Sequence, residues 1–374
     1  MYLEKLHIIN FKSHQEADLS FSPKINCLVG NNGVGKTNLL DAIHYLSLTK
    51  SFFNAVDSQN ISFNEDFFVI QGVFQKNEYP EEIYCGLKRG KRKQLKRNKK
   101  EYEKISDHVG LFPVVMVSPS DIGLILDGSE ERRKFINAVI SQFDKSYLED
   151  TMAYNKVLTH RNKLLKDLSG RSGFDVDSLE IWDDQLVMLG DKIFEKRKQF
   201  IEDLIPIFQE YYTFVSGGNE EVSLEYKSDL FEGNFHDILK ASRKKDLILQ
   251  YTSKGIHKDD LVFNLANHPI KKTGSQGQQK TYLVALKLAK FEFINHITHC
   301  KPILLLDDVF DKFDDHRVKR IIEMVSENKF GQIFITDTSQ ERVQSVMETL
   351  KVPYTIYRLE DDGHIKEITS YAQE

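Results

Sequence analysis

Residues 25–48 read INCLVGNNGVGKTNLLDAIHYLSL, and three patterns meet in them. INCLVG is a short apolar run of the kind that forms a buried strand. GNNGVGKT, Gly30 to Thr37, fits G-x-x-x-x-G-K-[ST] in full, the phosphate loop that joins a strand to a helix. Leu39, Leu40, Ile43 and Leu46 then recur at helical spacing. In such a loop Gly33 and Gly35 let backbone amides close around phosphate oxygens. Lys36 brings a point charge to the β- and γ-phosphates, and the Thr37 hydroxyl suits Mg²⁺. Gly30, Asn31, Asn32, Gly33, Val34, Gly35, Lys36 and Thr37 are therefore the candidate nucleotide-binding residues.

A second motif belongs with the first. ILLLDD, Ile303 to Asp308, is a buried strand ending in two carboxylates. Asp307 emerges at the C-terminal end of the strand, where α/β sheets place their ligands. There it would hold Mg²⁺, while Asp308 would orient or deprotonate the attacking water. Read alone, the pair is more simply an acidic strand end at the surface; its coupling to the phosphate loop is what favours the metal reading. The two motifs stand about 270 residues apart, so a large insertion lies between them.

Strands and helices alternate at both ends of the chain, which predicts a partly parallel α/β sheet. Residues 61–126 are richer in β-branched and aromatic residues and predict antiparallel strands. Residues 129–168 and 179–212 have a helical period. Ser129 is the expected N-cap of the first helix, and Gly217-Gly218 the stop of the second. The expected division is an ATPase domain of residues 1–128 and 215–374, with a helical lobe at 129–214 inserted between the phosphate loop and the next motif.

That next motif is KKTGSQGQQKTYLVALKLAK, residues 271–290, a polar Gly-Ser-Gln-Gly corner followed by a strong helix. Such a corner exposes the first amides of the helix, which attract anions. Two readings fit. The corner is an ordinary helix cap, or Ser275, Gln276, Gly277 and Gln278 face the triphosphate of a second subunit in a head-to-tail dimer.

At 374 residues, 40% hydrophobic and 29% charged, the chain has the composition of a soluble globular protein. No apolar run approaches the roughly 20 residues of a membrane span. Cys27, Cys85 and Cys300 are far apart, with neither metal nor disulfide spacing, and a reducing cytoplasm is the expected location. The net charge of −5 opposes uniform coating of nucleic acid but leaves room for a basic face. KRGKRKQLKRNKK, residues 88–100, supplies one, with nine basic residues in thirteen. Lys88, Arg89, Lys91, Arg92, Lys93, Lys96 and Arg97 are the candidate DNA contacts, and a solvated hairpin is the alternative. His257 with Asp259 and Asp260 suggests either a metal site or a hydrogen-bonded corner.

The motif order resembles that of the ABC-type ATPases, and its details resemble the RecF family of bacterial recombinational repair proteins. NFKSH before the phosphate loop is similar to the family's opening and adds Lys12 to the nucleotide-binding candidates. EERRKFINAVISQFDKSYLEDTMAYNKVLTHRNKLLK, KGIHKDDLVF, SQGQQKTYLVALKLA and ILLLDDVFDKFD follow in the family's order. The resemblance covers nearly the whole chain. It implies an ABC-type ATPase head that binds ATP and Mg²⁺ and dimerises on ATP. It also implies binding of double-stranded DNA at single-strand gaps, and joint action with RecO and RecR to load RecA. By the same resemblance Ser275 to Gln279 form the signature and Asp314 ends the D-loop. A transporter ATPase subunit and an SMC-like structural ATPase are the alternatives. The absence of a switch histidine at Thr336 and Thr338 opposes the first, and the short helical insert, without sustained heptads, opposes the second. VVMVSPSD, residues 114–121, has no Q-loop glutamine. Asp308 stands where many relatives carry Glu, one methylene longer. This predicts slow turnover, which an Asp308→Glu variant would speed in a steady-state ATPase assay.

Overall fold

The computed structural model describes residues 1–168, 176–218, 220–308, 320, 329–350, 353–361 and 363–371. The chain divides into two units. One comprises Met1–Asp121, Tyr211–Gly218 and Lys280–Glu374, and the other Ile122–Glu210 and Asn219–Gln279.

The first unit opens with a hairpin of β1 (Tyr2–Phe11) and β2 (His14–Ser20). β3 (Ile25–Val29) then runs through the phosphate loop into α1 (Lys36–Leu48). β4 (Phe67–Lys76), β5 (Tyr79–Lys88), β6 (Gln94–Arg97) and β7 (Lys100–Glu101) extend the hairpin into an antiparallel sheet of order β2-β1-β4-β5-β6-β7. The basic cluster is the β5–β6–β7 meander, turning at Gly90 and again at Asn98-Lys99, all with positive φ. β8 (Val114–Val117) corrects an expectation, because it leaves this sheet and pairs in parallel in another. Its four consecutive buried residues suit a strand covered on both faces.

The second unit carries α2 (Gly123–Leu126), α3 (Ser129–Ile140), α4 (Lys145–Leu168) and α5 (Glu180–Ser216), whose last turns belong to the first unit. Gly128 is the N-cap of α3, so Ser129 is its first helical residue rather than the cap. β9 (Val222–Lys227), α6 (Phe235–Leu249), β10 (Asp260–Leu265), β11 (His268–Pro269) and α7 (Ile270–Thr273) follow. The unit is thus larger than the expected lobe at 129–214. Residues 220–279 join it because β9–β11 form their own sheet, which α3 packs against, and buried arginines of α4 and α5 bond to the segments around it. Arg161 donates to Asp183 at 2.6 Å and to Asp246 and Thr252 at 2.8 Å. Arg197 donates to Asp259 at 2.6 Å and to the Ile256 carbonyl at 2.7 Å.

The chain returns to the first unit through α8 (Gln276–Thr298). β12 (Ile303–Leu306), β13 (Ile333–Asp337), α9 (Gln340–Leu350), β14 (Tyr354–Leu359) and β15 (Ile365–Tyr371) complete it. The second sheet has the order β15-β14-β3-β13-β12-β8 and is parallel except for β15. The apolar stripe of α1, including Leu39, Ile43 and Leu46, is buried in one core with Leu6 and Ile8 of β1 and with Leu305 and Phe334 of the parallel sheet. Phe11, Tyr45 and Phe68 meet edge to face at 5.3–5.9 Å between ring centroids, the geometry aromatic quadrupoles prefer. Among the described residues no helix is long and apolar enough to cross a membrane.

Candidate nucleotide site

Strand register brings the two motifs together. Leu306 of β12 lies opposite Val117 of β8 and Ile335 of β13, so Asp307, one residue on, falls between Ser118 and Thr336. Its carboxylate collects three hydroxyls. Thr37 and Thr336 donate to Oδ1 at 2.8 and 3.0 Å, and Ser118 donates to Oδ2 at 3.2 Å. Asp307 is only 4% exposed, and these donors compensate its buried charge. Thr37, on the first turn of α1, comes from the far end of the chain. A hydroxyl and a carboxylate held 2.8 Å apart at the mouth of a phosphate loop are the oxygen ligands Mg²⁺ takes, so the donor set fits the expected metal.

The loop itself is shaped by what surrounds it. Gly30 has φ +152°, and a Cβ there would lie 2.5 Å from the Leu359 carbonyl; Gly35 has φ +101°, and its Cβ would strike Ser13 and His14. Both approaches demand glycine. The His14 Nε2 donates to the Gly35 carbonyl at 3.0 Å, and Asn38 donates to Ser13 Oγ at 2.7 Å. Burial lowers the His14 pKa, so the ring acts as a neutral donor. Lys36 folds over the loop, donating to the Gly30 and Asn31 carbonyls at 2.7 and 2.8 Å. Asn31, Asn32 and Gly33 are exposed and Val34 is half-buried. A cleft of about 340 Å³ opens beside Gly30 and Asn31, lined also by Thr338, Arg358 and Asp361.

Other candidates sit elsewhere. Lys12 is turned onto α1, where its ammonium pairs with the fully buried Asp41 at 2.6 Å. Leaving that carboxylate unpaired would be costly, so in this structure Lys12 braces the helix behind the loop. Asp308 follows β12 with φ +46°, and its N–H donates to Thr336 Oγ1 at 2.8 Å. Ser275 and Gln278 bond reciprocally, the Ser275 N–H to Gln278 Oε1 at 2.8 Å and the Gln278 N–H to Ser275 Oγ at 3.2 Å. This is a capping box on α8. Ser275 and Gln276 are nevertheless exposed, and Gly277 is half-exposed. Asp314 lies outside the described residues.

Of the basic cluster, Lys88, Arg89, Lys91 and Arg92 are exposed. Lys93 is not a surface residue of the patch, because its ammonium is held by Asp57 at 2.9 Å and by the Tyr45 hydroxyl and Thr49 carbonyl. Arg97 is paired with Glu81, and Lys96 lies over the Tyr84 ring. His257 uses both ring nitrogens, donating to the Thr252 carbonyl and accepting from Tyr154 OH, each at 2.9 Å. Burial brings its pKa down to about 4. Asp260 meets Arg132 and Asp259 meets Arg197, which makes this a hydrogen-bonded corner.

Two contributors escaped the sequence reading. Ser118 touches Asp307 from just past β8, and Asp121, three residues on, pairs with Lys287 of α8 at 2.5 Å. The available signal was a hydroxyl just past a buried strand, too common to single out. Lys290, one turn further along α8, is also buried. Burial, reinforced by Lys287 and opposed by Asp121, brings its pKa down to about 7 from an ordinary 10.5. Between those values the unfolded chain binds more protons than the folded one, so this group's stability contribution falls as pH drops through the window. Lys290→Met is therefore expected to melt about 5 °C higher than wild type at pH 7, with the gain shrinking toward pH 10, by calorimetry.

A phosphate loop between β3 and α1, with the carboxylate of a strand two positions away facing its threonine, defines a P-loop ATPase head. Residues 2–359 match the RecF/RecN/SMC N terminal domain family. The DNA replication and repair protein RecF of Phocaeicola vulgatus is 48% identical over all of both chains, and that of Flavobacterium johnsoniae 50% identical over 96% of this chain and all of the relative. A solved structure of the recombination mediator protein RecF with ATP superposes with a TM-score of 0.88 at 31% identity, covering 98% of each chain. The Smc head of Pyrococcus yayanosii, 15% identical, shares the fold at a TM-score of 0.58. The chain belongs to the RecF family.

Proposed function

We propose that this chain is a cytoplasmic, ATP-dependent DNA-binding protein of replication and recombinational repair, and that its head-to-tail dimer forms on ATP and parts on hydrolysis. The observation that carries the reading is the Thr37–Asp307 pair, which closes a nucleotide site from opposite ends of the chain. Gly30 to Thr37 wrap the phosphates, and Lys36 leaves the loop carbonyls for the β- and γ-oxygens. Thr37 and Asp307 would hold Mg²⁺, which would supply charge neutralisation for phosphoryl transfer. Asp308 orients the attacking water. Ser275, Gln276, Gly277 and Gln278 of a second copy close over the γ-phosphate. The exposure of Ser275 and Gln276 on a capped helix start supports that role, since capping fixes the start of α8 beneath a solvent-facing corner.

The substrate surface is double-stranded DNA at a single-strand gap, contacted by Lys88, Arg89, Lys91 and Arg92 with Lys96 and Arg97 beside them. Such contacts would be salt-dependent and sequence-independent. DNA would stimulate a slow hydrolysis, and RecR and RecO would act with the bound dimer in loading RecA. The relatives named RecF for replication and repair, and the RecF structure described in the RecFOR pathway, support this assignment.

Molar mass by light scattering tests it. With ATP and Mg²⁺ the wild type is expected to double in mass, and gapped duplex DNA to bind the doubled species. Lys36→Met and Ser275→Arg are expected to remain monomeric. If Ser275→Arg dimerises like wild type, the corner is only a helix cap and the trans arrangement is wrong.

A further inference from the structure

α8 turns two lysines into the interior of the first unit, Lys287 and Lys290, 5% and 7% exposed. The Lys287 ammonium donates to Asp121 Oδ1 at 2.5 Å and to the Met116 carbonyl of β8 at 3.1 Å, and lies 5.2 Å from the centre of the Phe52 ring. The other oxygen of Asp121 accepts the backbone N–H of Ser118 at 2.9 Å. Ser118 Oγ donates to Asp307 Oδ2, and Thr37 Oγ1 donates to Asp307 Oδ1. Three hydrogen bonds therefore link α8 to Asp307 through Asp121 and Ser118, and a fourth joins Asp307 to Thr37.

Stability alone does not call for this arrangement. A well-packed apolar residue at 287 would avoid burying a charge, and replacing buried ion pairs in that way is often neutral or stabilising. Here a second buried lysine, Lys290, stands one turn away on the same helix. The cost is offset if the position of the cation matters to Asp307.

We propose that Lys287 is a positioning residue for ATP hydrolysis, setting the Asp307 carboxylate through Asp121 and Ser118 and so linking α8 to the metal-binding pair. The link from Lys287 to Asp307 does not depend on the trans arrangement proposed above.

The test uses the full-length protein as wild type, Lys287→Met, Lys287→Arg, Asp121→Asn and the Lys287→Met/Asp121→Asn double variant. Binding of Mn²⁺ in the presence of ADP, followed by electron paramagnetic resonance, reads the metal pair without turnover. Steady-state hydrolysis gives kcat and the Mg²⁺ concentration for half-maximal rate. Lys287→Met and Asp121→Asn are each expected to weaken Mn²⁺ about tenfold and to lower kcat by a similar factor, within the 10–100-fold cost typical of outer-shell changes at metal sites. Metal-free binding of a fluorescent ATP analogue should stay within about twofold of wild type. Lys287→Arg should restore most of the loss, and the double variant should be no worse than either single one, as expected of residues acting in one chain.

Wild-type Mn²⁺ affinity in both single variants, or additive losses in the double one, overturns the proposal. Should Lys287→Met fail to fold, Asp121→Asn decides the matter by the same readings. Normal dimerisation of Ser275→Arg alongside weakened Mn²⁺ binding in Lys287→Met would sink the trans arrangement while leaving the positioning role intact.

Discussion

Asp307→Asn is expected to lower kcat for ATP hydrolysis by about 10²–10³-fold while leaving the protein folded. The reason lies in how the carboxylate is used. Thr37 and Thr336 both donate to Oδ1, and Ser118 donates to Oδ2. An asparagine keeps the first oxygen as an acceptor, and its amide can donate to the Ser118 hydroxyl once that rotor turns. The hydrogen-bond count is preserved, so the stability change should stay within about 1 kcal/mol. What is lost is the negative charge beside Thr37, and with it the grip on a divalent cation. Thermal melting alongside steady-state hydrolysis separates the two effects. A variant that melts like wild type and hydrolyses ATP at the wild-type rate would remove Asp307 from the chemistry.

Arg161→Leu is expected to destabilise the second unit by about 3–5 kcal/mol. Arg161 is fully buried, and it bridges Asp183 and Asp246, which are themselves buried. Asp183 would retain Arg243 at 2.7 Å, but among the described residues Asp246 would keep the neutral donors Ser242 and Ser253. An uncompensated buried carboxylate must then be desolvated or take up a proton. Differential scanning calorimetry should show a drop in Tm of roughly 10 °C. Lys134→Met removes an ion pair whose members are mostly in water and should cost less than about 1 kcal/mol. Equal effects of the two substitutions would contradict the burial argument.

These residues also show where a sequence can be read and where it cannot. The phosphate loop was legible because its chemistry is local: Gly30, Gly33, Gly35, Lys36 and Thr37 must follow one another at fixed spacing. ILLLDD was legible because four consecutive apolar residues mark a strand buried on both faces. The helical stretches of α3–α5 declared themselves through apolar period and through the glycines that stop them. Ser118, by contrast, owes its place against Asp307 to the register of β8 on β12, a pairing across almost two hundred residues. Nothing near Ser118 in the chain encodes it. The ion pairs of Lys93 and Lys12 were hidden for a related reason. A lysine's charge is visible in sequence, but the carboxylates that claim it, Asp57 and Asp41, arrive through tertiary packing. The wider second unit was hidden likewise, since residues 220–279 are drawn into it by arginines rooted in α4 and α5.

The position of β3 bears on how the protein is made. In its sheet β3 is flanked by β13 and β14, both within residues 333–359. During synthesis the phosphate-loop strand therefore leaves the ribosome some three hundred residues ahead of either neighbour. Its five buried residues have no ladder to join for most of translation, which at typical speeds of about 5–20 residues per second is a wait of roughly fifteen seconds to a minute. The antiparallel sheet beside it contains nearest-neighbour hairpins that can close early, whereas the parallel sheet is dominated by distant pairings of the kind that fold slowly. Competence to bind nucleotide is thus a late event in the life of each chain, acquired only after its C-terminal strands have threaded into place on both sides of β3.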